Sequence, residues 1–496
     1  MDKKQKPYVS KYSGFLGKLD SYFKISERGS NFKTEVIAGL TTFFAMAYIV
    51  VTNPNQIAGD EFEKLPSDLK IVWFSVYVAS ILAAVVGTLL YAFYAKMPFA
   101  QACGMGLNSF FFVSFILPEV QKSGDVVKGY KEGLTVILLS GLLFMVLSMT
   151  GLRTLIAKSL PENLKKAIPA GIGLFIAFLG FQNVGIVKGN QFTLVQFFDF
   201  YGTLKNSSPL EGWRAIVPVL ITFLALIVMG ILVKYKVKGS VIITILGSTV
   251  LYYLCIWDSP SFSLTSIGES FTHFGKEGLF GAFEGFRTAF TTDGVFTWGT
   301  WFSIISLVIT FCLVDMFDTM GTLYGAASQA DMLDENGDPI NMKESMNADS
   351  VATLSGSILG TSTCTTFVES SAGVGVGGRT GFASLITAAC FFVCLFLTPV
   401  ATIVPACATA PALIYIGILM LKGFAKVDME DITSAIPAFL TLVMMPLTYS
   451  ISNGIAIGAI SYVLIRLFTG KYQKKDIVIT VVAVLFALRF FLVPAM

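Results

Sequence analysis

The stretch IVWFSVYVASILAAVVGTLLYAFYA occupies residues 71–95 and contains no charged side chain in 25 positions. About 20 apolar residues in a helix span a bilayer, because only a helix or a closed barrel satisfies its own backbone hydrogen bonds there. The first half of the chain holds similar uncharged stretches at 36–59, 97–118, 133–152, 167–187, 215–233 and 239–257. This half therefore predicts seven membrane segments.

The overall composition is typical of a membrane protein. Of 496 residues, 54% are hydrophobic and 14% are charged, and the mean hydropathy is +0.72, unlike an ordinary soluble domain. The 35 basic and 32 acidic residues are too evenly balanced to indicate nucleic acid as a partner. Seven cysteines and one histidine show no usual ligand spacing, so we expect no metal and no other cofactor.

The second half predicts seven further segments with less regular boundaries. Residues 294–330 form one segment that carries two acids, and 351–378 form two short pieces broken near Gly360. Prolines divide 380–421 into two segments, and 432–465 divide near Asn453 and Gly454. The sequence therefore predicts an all-α polytopic membrane protein with 14 transmembrane segments.

The distribution of basic residues predicts the orientation of these segments. Short cytoplasmic loops collect Lys and Arg, and fourteen crossings with the N-terminus inside place the basic loops at 153–166, 234–238 and 466–475 in the cytoplasm. Both ends of the 14-segment core would then be cytoplasmic, in a multi-pass protein of the cell inner (plasma) membrane. Residues 1–33 lack the apolar core of a signal peptide and are expected to stay as a cytoplasmic segment.

An odd number of segments in each half predicts two inverted repeats, an architecture found in many secondary transporters. The first repeat would occupy 34–257 and the second 301–470, with an extracellular connection at 258–300. The apolar residues 471–496 would add a further span or an interfacial helix.

Three acids lie where hydrocarbon is expected, namely Asp315, Asp318 and Glu369. An uncompensated carboxylate in a membrane costs a few kcal/mol or more, so such residues usually face a cavity and function there. Asp315 and Asp318 are three residues apart and share one helix face, and their spans contain no Lys or Arg to neutralise them. Burial and repulsion should favour protonation of at least one of the three, which makes all three candidates for proton coupling.

Segments 3 and 10 are unsuited to continuous helix. Residues 101–109 and 360–366 are small, hydroxylated and glycine-bearing, which is typical of extended chain leading into a half-helix with exposed backbone N–H groups. Gly106 and Thr366 lie in these pieces. The exposed backbone N–H groups and the side-chain amide of Asn108 suit the binding of a flat polar heterocycle.

Four motifs at these positions resemble a known family. They are GLTTFFAMAY at 39–48, GLN at 106–108, VDMFDTMGTL at 314–323 and TFVESSAGV at 366–374. The motifs look like those of the AzgA-like adenine/guanine/hypoxanthine permeases, within the wider nucleobase/ascorbate transporter superfamily of the uracil-permease fold. The resemblance runs nearly end to end.

The resemblance implies a core domain of segments 1–4 and 8–11 and a gate domain of segments 5–7 and 12–14. It also implies proton-coupled purine uptake. Asp315 and Glu369 would be the main substrate ligands with Asn108 beside them, and Asp318 would be secondary. Phe44 and Phe367 are candidates for stacking on the base.

The leading hypothesis is therefore a proton symporter that imports purine nucleobases, whether adenine, hypoxanthine or guanine. Its partners would be the base, the proton and the lipid bilayer, and a homodimer stays open. One alternative is an anion exchanger or channel of the same fold, which would need a positive site. Another is a sodium-coupled nucleobase transporter. An enzyme is not expected, because the sequence shows no nucleophile and base pair and no cofactor loop.

Overall fold

The structure is a computed structural model. It describes residues 12–150, 161–190, 193–237, 239–257, 259–260, 262–290, 298–329, 332, 339–367 and 369–492. In chain order the helices of these residues are α1 (Gly14–Phe23), α2 (Phe32–Met46), α3 (Ile49–Ala58), α4 (Ser67–Leu90), α5 (Met105–Phe111), α6 (Leu117–Lys122), α7 (Val126–Thr150), α8 (Glu162–Asn183), α9 (Phe200–Asn206), α10 (Pro209–Lys234), α11 (Ser240–Ile256), α12 (Thr265–His273), α13 (Gly281–Ala289), α14 (Trp298–Gln329), α15 (Met342–Leu359), α16 (Ser370–Gly375), α17 (Gly381–Cys394), α18 (Thr398–Ala401), α19 (Ala406–Leu421), α20 (Ile432–Leu447), α21 (Ile451–Phe468) and α22 (Ile477–Leu492).

The long helices confirm a helical polytopic membrane protein. In the described part of the chain, eight helical stretches are long and apolar enough to cross a bilayer, and one of them, Phe32–Lys64, includes both α2 and α3. Shorter apolar helices lie at Ser240–Ile256, Gly381–Cys394, Ile432–Leu447 and Ile477–Leu488. The structure thus confirms the class that the composition predicts, a helical membrane protein.

Several predicted boundaries differ from the observed ones. The stretch 36–59 is two helices, because α2 ends at Met46 and a tighter turn precedes α3, with the Val51 N–H bonded to the Tyr48 carbonyl at 3.1 Å. The predicted division of 432–465 into two helices is confirmed, but it lies a few residues before Asn453. The break lies at 448–450, where the Ser450 hydroxyl accepts from the Asn453 N–H at 3.3 Å and caps α21.

Two short strands confirm extended chain in segments 3 and 10. Strand β1 (Gln101–Cys103) pairs antiparallel with β4 (Cys364–Thr366), and all their residues are buried. The pairing satisfies backbone groups that a broken helix would leave without partners inside the protein. Between β1 and β4 along the chain, β2 (Val187–Asn190) and β3 (Leu194–Phe197) form a separate hairpin.

The helices pack in two sets. In the first set, α4 contacts α3, α15 and α17, and both α7 and the strand pair lie against the same group. In the second set, α8 packs on α19 and α20, while α10 contacts α11 and α19. Helices α5 and α14 reach from the first set to α8. The strand pair and the short helices that follow it therefore lie close to the boundary between the two sets.

Candidate functional site

A cavity of about 430 Å³ lies at the boundary between the two helix sets. Its polar wall comes from the break after α2, from α14 and from the segment around β4, whereas α8 and α19 supply most of its apolar wall. The polar side chains are Tyr48, Asp318, Thr322, Thr365, Thr366 and Glu369. The apolar ones include Met105, Pro169, Ile176, Phe367, Ile416, Leu419 and Met420. An apolar cavity with a few convergent polar groups is the usual form of a small-molecule site.

Glu369 is held by a tyrosine from the other half of the chain. It directly precedes the short helix α16, and its Oε1 accepts a hydrogen bond from the Tyr48 hydroxyl at 2.8 Å. Tyr48 lies at the turn between α2 and α3 and is buried. The helix break in the first segment therefore directs this hydroxyl at the carboxylate.

Asp318 lines the same cavity from α14. Asp318 and Glu369 thus present two carboxylates to one cavity. Among the described residues, no ion pair neutralises either acid. The pair can accept N–H donors from a ligand, and it can take up a proton when the ligand brings no positive charge.

Asp315 lies behind this wall and is not among the residues that line the cavity. Its Oδ2 accepts from the Thr353 hydroxyl of α15 at 2.7 Å. Its Oδ1 is buried without a hydrogen-bond partner in the described part of the chain. The prediction that Asp315 is a main substrate ligand stays a prediction, and in this geometry Asp318 is the acid of α14 that reaches the cavity.

Asp349 is a buried acid that the sequence reasoning missed. It accepts from the Gln101 amide at 2.6 Å and from the Thr319 hydroxyl at 2.7 Å. The Thr319 hydroxyl is also 2.7 Å from that of Thr365, which lines the cavity. The predicted segment began at residue 351, because Lys343, Glu344 and Asp349 make the first half of α15 look like a loop. Two hydroxyl groups, those of Thr365 and Thr319, thus connect the cavity wall to the buried carboxyl group of Asp349.

The other predicted site residues fall into two groups. Gly106, Thr366 and Phe367 line the cavity, and their role in substrate binding stays a prediction. Asn108 does not line it. Its amide donates to the Asn53 side chain and its oxygen accepts from the Ser362 hydroxyl, which ties segment 3 to segments 1 and 10.

Phe44 is also not brought to the cavity. Its ring is 46% exposed and packs against Phe43 at a centroid distance of 5.4 Å. Stacking of Phe44 on a ligand has no support in this geometry, and Phe367 is the predicted aromatic that lines the site.

Gly106 lies at a close contact between the two helix sets. A Cβ atom added there would lie 2.3 Å from the Ile172 Cγ2 of α8, well inside van der Waals contact. Only glycine allows this approach. The short helix α5 can therefore lie directly against α8 beside the cavity.

Three lysines line one end of the cavity, and we call them the lysine rim: Lys165, Lys166 and Lys426. Lys165 and Lys166 lie near the start of α8, and Lys426 follows α19. The Lys166 ammonium donates to the Lys426 carbonyl at 3.0 Å. The cavity is thus acidic at its inner end and basic where it meets solvent.

Comparison with known proteins agrees with this architecture. Residues 33–457 match the permease family Xan_ur_permease. A putative permease of Methanocaldococcus jannaschii, MJ0326, is 36% identical over 95% of this chain and 98% of its own. The adenine permease AdeP of Escherichia coli K12 is 33% identical over 97% of each chain. The guanine/hypoxanthine permease PbuG of Bacillus subtilis 168 is 35% identical over 95% of this chain and 99% of its own.

Solved structures share the fold at low sequence identity. The transmembrane domain of the cyanobacterial bicarbonate transporter BicA superimposes with a TM-score of 0.60 at 13% identity, over 85% of this chain and 97% of that one. SLC26A9 superimposes with a TM-score of 0.57 at 12% identity, over 95% of this chain and 74% of that one. The fold is therefore that of a polytopic membrane transporter. With a family match across residues 33–457 and full-length relatives that are permeases, the chain belongs to the Xan_ur_permease family and is a transporter rather than an enzyme.

Proposed function

We propose that this permease imports purine nucleobases by proton symport. The observation that carries the proposal is the pair of carboxylates, Asp318 and Glu369, on one cavity between two helix sets. Full-length relatives named adenine permease and guanine/hypoxanthine permease support the substrate class.

The side chains of the cavity suit a purine base. Such a base presents N–H donors along the edges of one plane, and carboxylates accept them with charge-assisted hydrogen bonds. Glu369 is kept in place by Tyr48, so its acceptor oxygens are already oriented. The ring of Phe367 offers an apolar face for the base. Asp318 would then bind a second edge.

Proton coupling follows from the charge of the closed site. A neutral base held between two carboxylates leaves the site negative, and moving one charge through the membrane potential involves about 2.3 kcal/mol per 100 mV. Protonation of one acid removes that charge. The hydroxyls of Thr365 and Thr319 connect the cavity wall to Asp349. We propose that the carboxyl groups of Asp349 and Asp315 store the transported proton.

The two helix sets would correspond to a core and a gate domain, built from fourteen segments in two inverted repeats at 34–257 and 301–470. Transport would occur as the core moves past α8 and α19. At the end of the cavity away from the lysine rim, Glu61 accepts from the Ala406 N–H and pairs with Lys64, which joins the loop after α3 to the start of α19. With basic loops in the cytoplasm, this conformation would be open to the inside.

An anion exchanger is the second candidate, because both solved structures named above belong to a fold that carries anions in BicA. Two acids at the inner end of the cavity oppose it, since an anion would need a positive site there. The lysine rim lies about ten residues along α8 from Ile176, roughly 15 Å in a helix. The rim therefore lies at the opposite end of the α8 wall from Ile176.

Uptake into proteoliposomes tests the proposal. Radiolabelled hypoxanthine should accumulate when the outside is acidic relative to the lumen, and unlabelled adenine, guanine and hypoxanthine should compete while bicarbonate and sulfate do not. A protonophore should abolish accumulation. Competition by the anions and not by the bases would disprove the substrate class, and uptake that ignores the pH gradient would disprove the coupling.

A further inference from the structure

The cavity is longer than a purine base needs. Lys165 and Ile176 both line it from α8 and are eleven residues apart, which is about 16 Å along a helix. Its volume of about 430 Å³ lies in the range of pockets that hold drug-sized ligands. A single bicyclic base between Asp318 and Glu369 therefore leaves the outer part of the cavity unfilled.

That outer part carries concentrated positive charge. Lys166 is held at the rim by its bond to the Lys426 carbonyl at 3.0 Å. Lys165 pairs with Glu162 at 3.2 Å, but the Glu162 side chain is 75% exposed, and an exposed pair of this kind is worth about 0–1 kcal/mol. Lys165 can therefore exchange Glu162 for a stronger anion at little cost.

The positions of the lysines are not explained by the cytoplasmic bias of basic residues alone. Lys422 lies in the same loop as Lys426 and is exposed, yet it does not line the cavity. The lysine rim, by contrast, shares one continuous cavity with the two carboxylates. A ligand that occupies the whole cavity would need N–H donors at one end and an anionic group at the other.

We infer that purine nucleoside monophosphates bind this cavity from the cytoplasmic side as competitors that are not transported. The inference rests on the proposed function. The base would occupy the site between Asp318 and Glu369, and the phosphate would bind the flexible ammonium groups of the lysine rim. The phosphate adds about −1.5 to −2 charges at neutral pH, which disfavours closure of the site around it.

This arrangement would couple import to metabolism. Any reaction that attaches ribose phosphate to an imported base produces a nucleotide of this class. Accumulated nucleotide would then occupy the open cavity and slow further import, with no separate regulatory domain.

Displacement of radiolabelled hypoxanthine from the purified full-length protein tests the inference. Inosine and inosine 5′-monophosphate differ only in the phosphate, so the ratio of their inhibition constants reports its contribution. At low salt the monophosphate should compete at least about tenfold better than inosine, since a hydrogen bond to a charged group is worth about 1.5–3 kcal/mol. The ratio should fall as ionic strength rises.

Variants locate the effect. The triple change Lys165→Gln, Lys166→Gln and Lys426→Gln should bring the ratio close to one, whereas the matched control Lys422→Gln should leave it unchanged. Inorganic phosphate and glycerol 3-phosphate lack the base and should not displace hypoxanthine. If they displace it as well as the monophosphate does, the rim is a simple phosphate or headgroup site and the inference is wrong.

The remaining outcomes separate the two proposals. A ratio near one in the wild-type protein, or a raised ratio that the triple variant leaves intact, overturns the nucleotide inference while base binding still supports the proposed function. Failure of hypoxanthine itself to bind overturns both. In proteoliposomes, the monophosphate should inhibit uptake only from the side that carries the lysine rim, and equal inhibition from both sides would contradict binding in this cavity.

Discussion

The substitution Glu369→Gln tests the central interaction of the site. Glutamine has nearly the same size, and its carbonyl oxygen can still accept from the Tyr48 hydroxyl, which is now 2.8 Å from Oε1. The change therefore removes the charge and one acceptor while leaving the packing in place. A hydrogen bond to a charged group contributes about 1.5–3 kcal/mol, so binding of hypoxanthine should weaken roughly ten- to a hundredfold.

The assay is equilibrium binding of radiolabelled hypoxanthine to the purified protein. Glu284→Gln is a matched control, because Glu284 is 59% exposed and pairs with Lys131 away from the cavity. It should bind like the wild type. Thermal unfolding and size-exclusion profiles show whether each variant is folded. A folded Glu369→Gln protein with unchanged affinity would refute the assignment of this carboxylate to substrate binding.

Three further predictions concern the neighbouring residues and the coupling ion. Asp318→Asn should weaken binding of the base as Glu369→Gln does, because Asp318 lines the cavity. Asp315 does not line it, so Asp315→Asn should reduce uptake while binding stays measurable. Equal losses of affinity in the two variants would contradict this division of roles. Gly106→Ala should reduce uptake, because it places a methyl group against Ile172 and overpacking of this kind costs about 1–3 kcal/mol. Adding Ile172→Ala to the same protein should restore part of the uptake. No recovery would show that this contact is not the cause of the loss. A proton gradient in sodium-free buffer should drive accumulation of the base, and uptake should rise as the outside pH falls from about 8 towards 6. Accumulation driven only by a sodium gradient at equal pH would overturn proton coupling.

The contrast between Asp315 and Asp318 shows how far sequence patterns can assign a site. Both acids share one face of a helix when judged by spacing, and the family resemblance favours Asp315. Three residues correspond to 300° of rotation and about 4.5 Å of rise, so neighbouring groups can still meet different surroundings. Whether each acid meets α15 or the open cavity depends on how α14 packs, and packing is set by distant parts of the chain.

Asp349 illustrates a second limit. The three charged residues Lys343, Glu344 and Asp349 make the start of α15 resemble a loop in a hydropathy profile. The buried acid takes its hydrogen bonds from Gln101 and Thr319, which lie in two other segments. No local window of sequence contains all three residues.

The sequence by itself determined the class of the protein, the family, the three intramembrane acids and the two extended pieces in segments 3 and 10. The family follows from the resemblance of four long motifs. The other features follow from local composition, since hydrocarbon disfavours charge and glycine-bearing runs of small and hydroxylated residues are typical of extended chain. Only the tertiary structure decided that Glu369 binds Tyr48, that Asp318 and not Asp315 reaches the cavity, and that lysines from α8 and the end of α19 share it. Those relations join residues that lie far apart in the chain, and they arise because long-range packing, which local hydropathy does not encode, brings the two helix sets together.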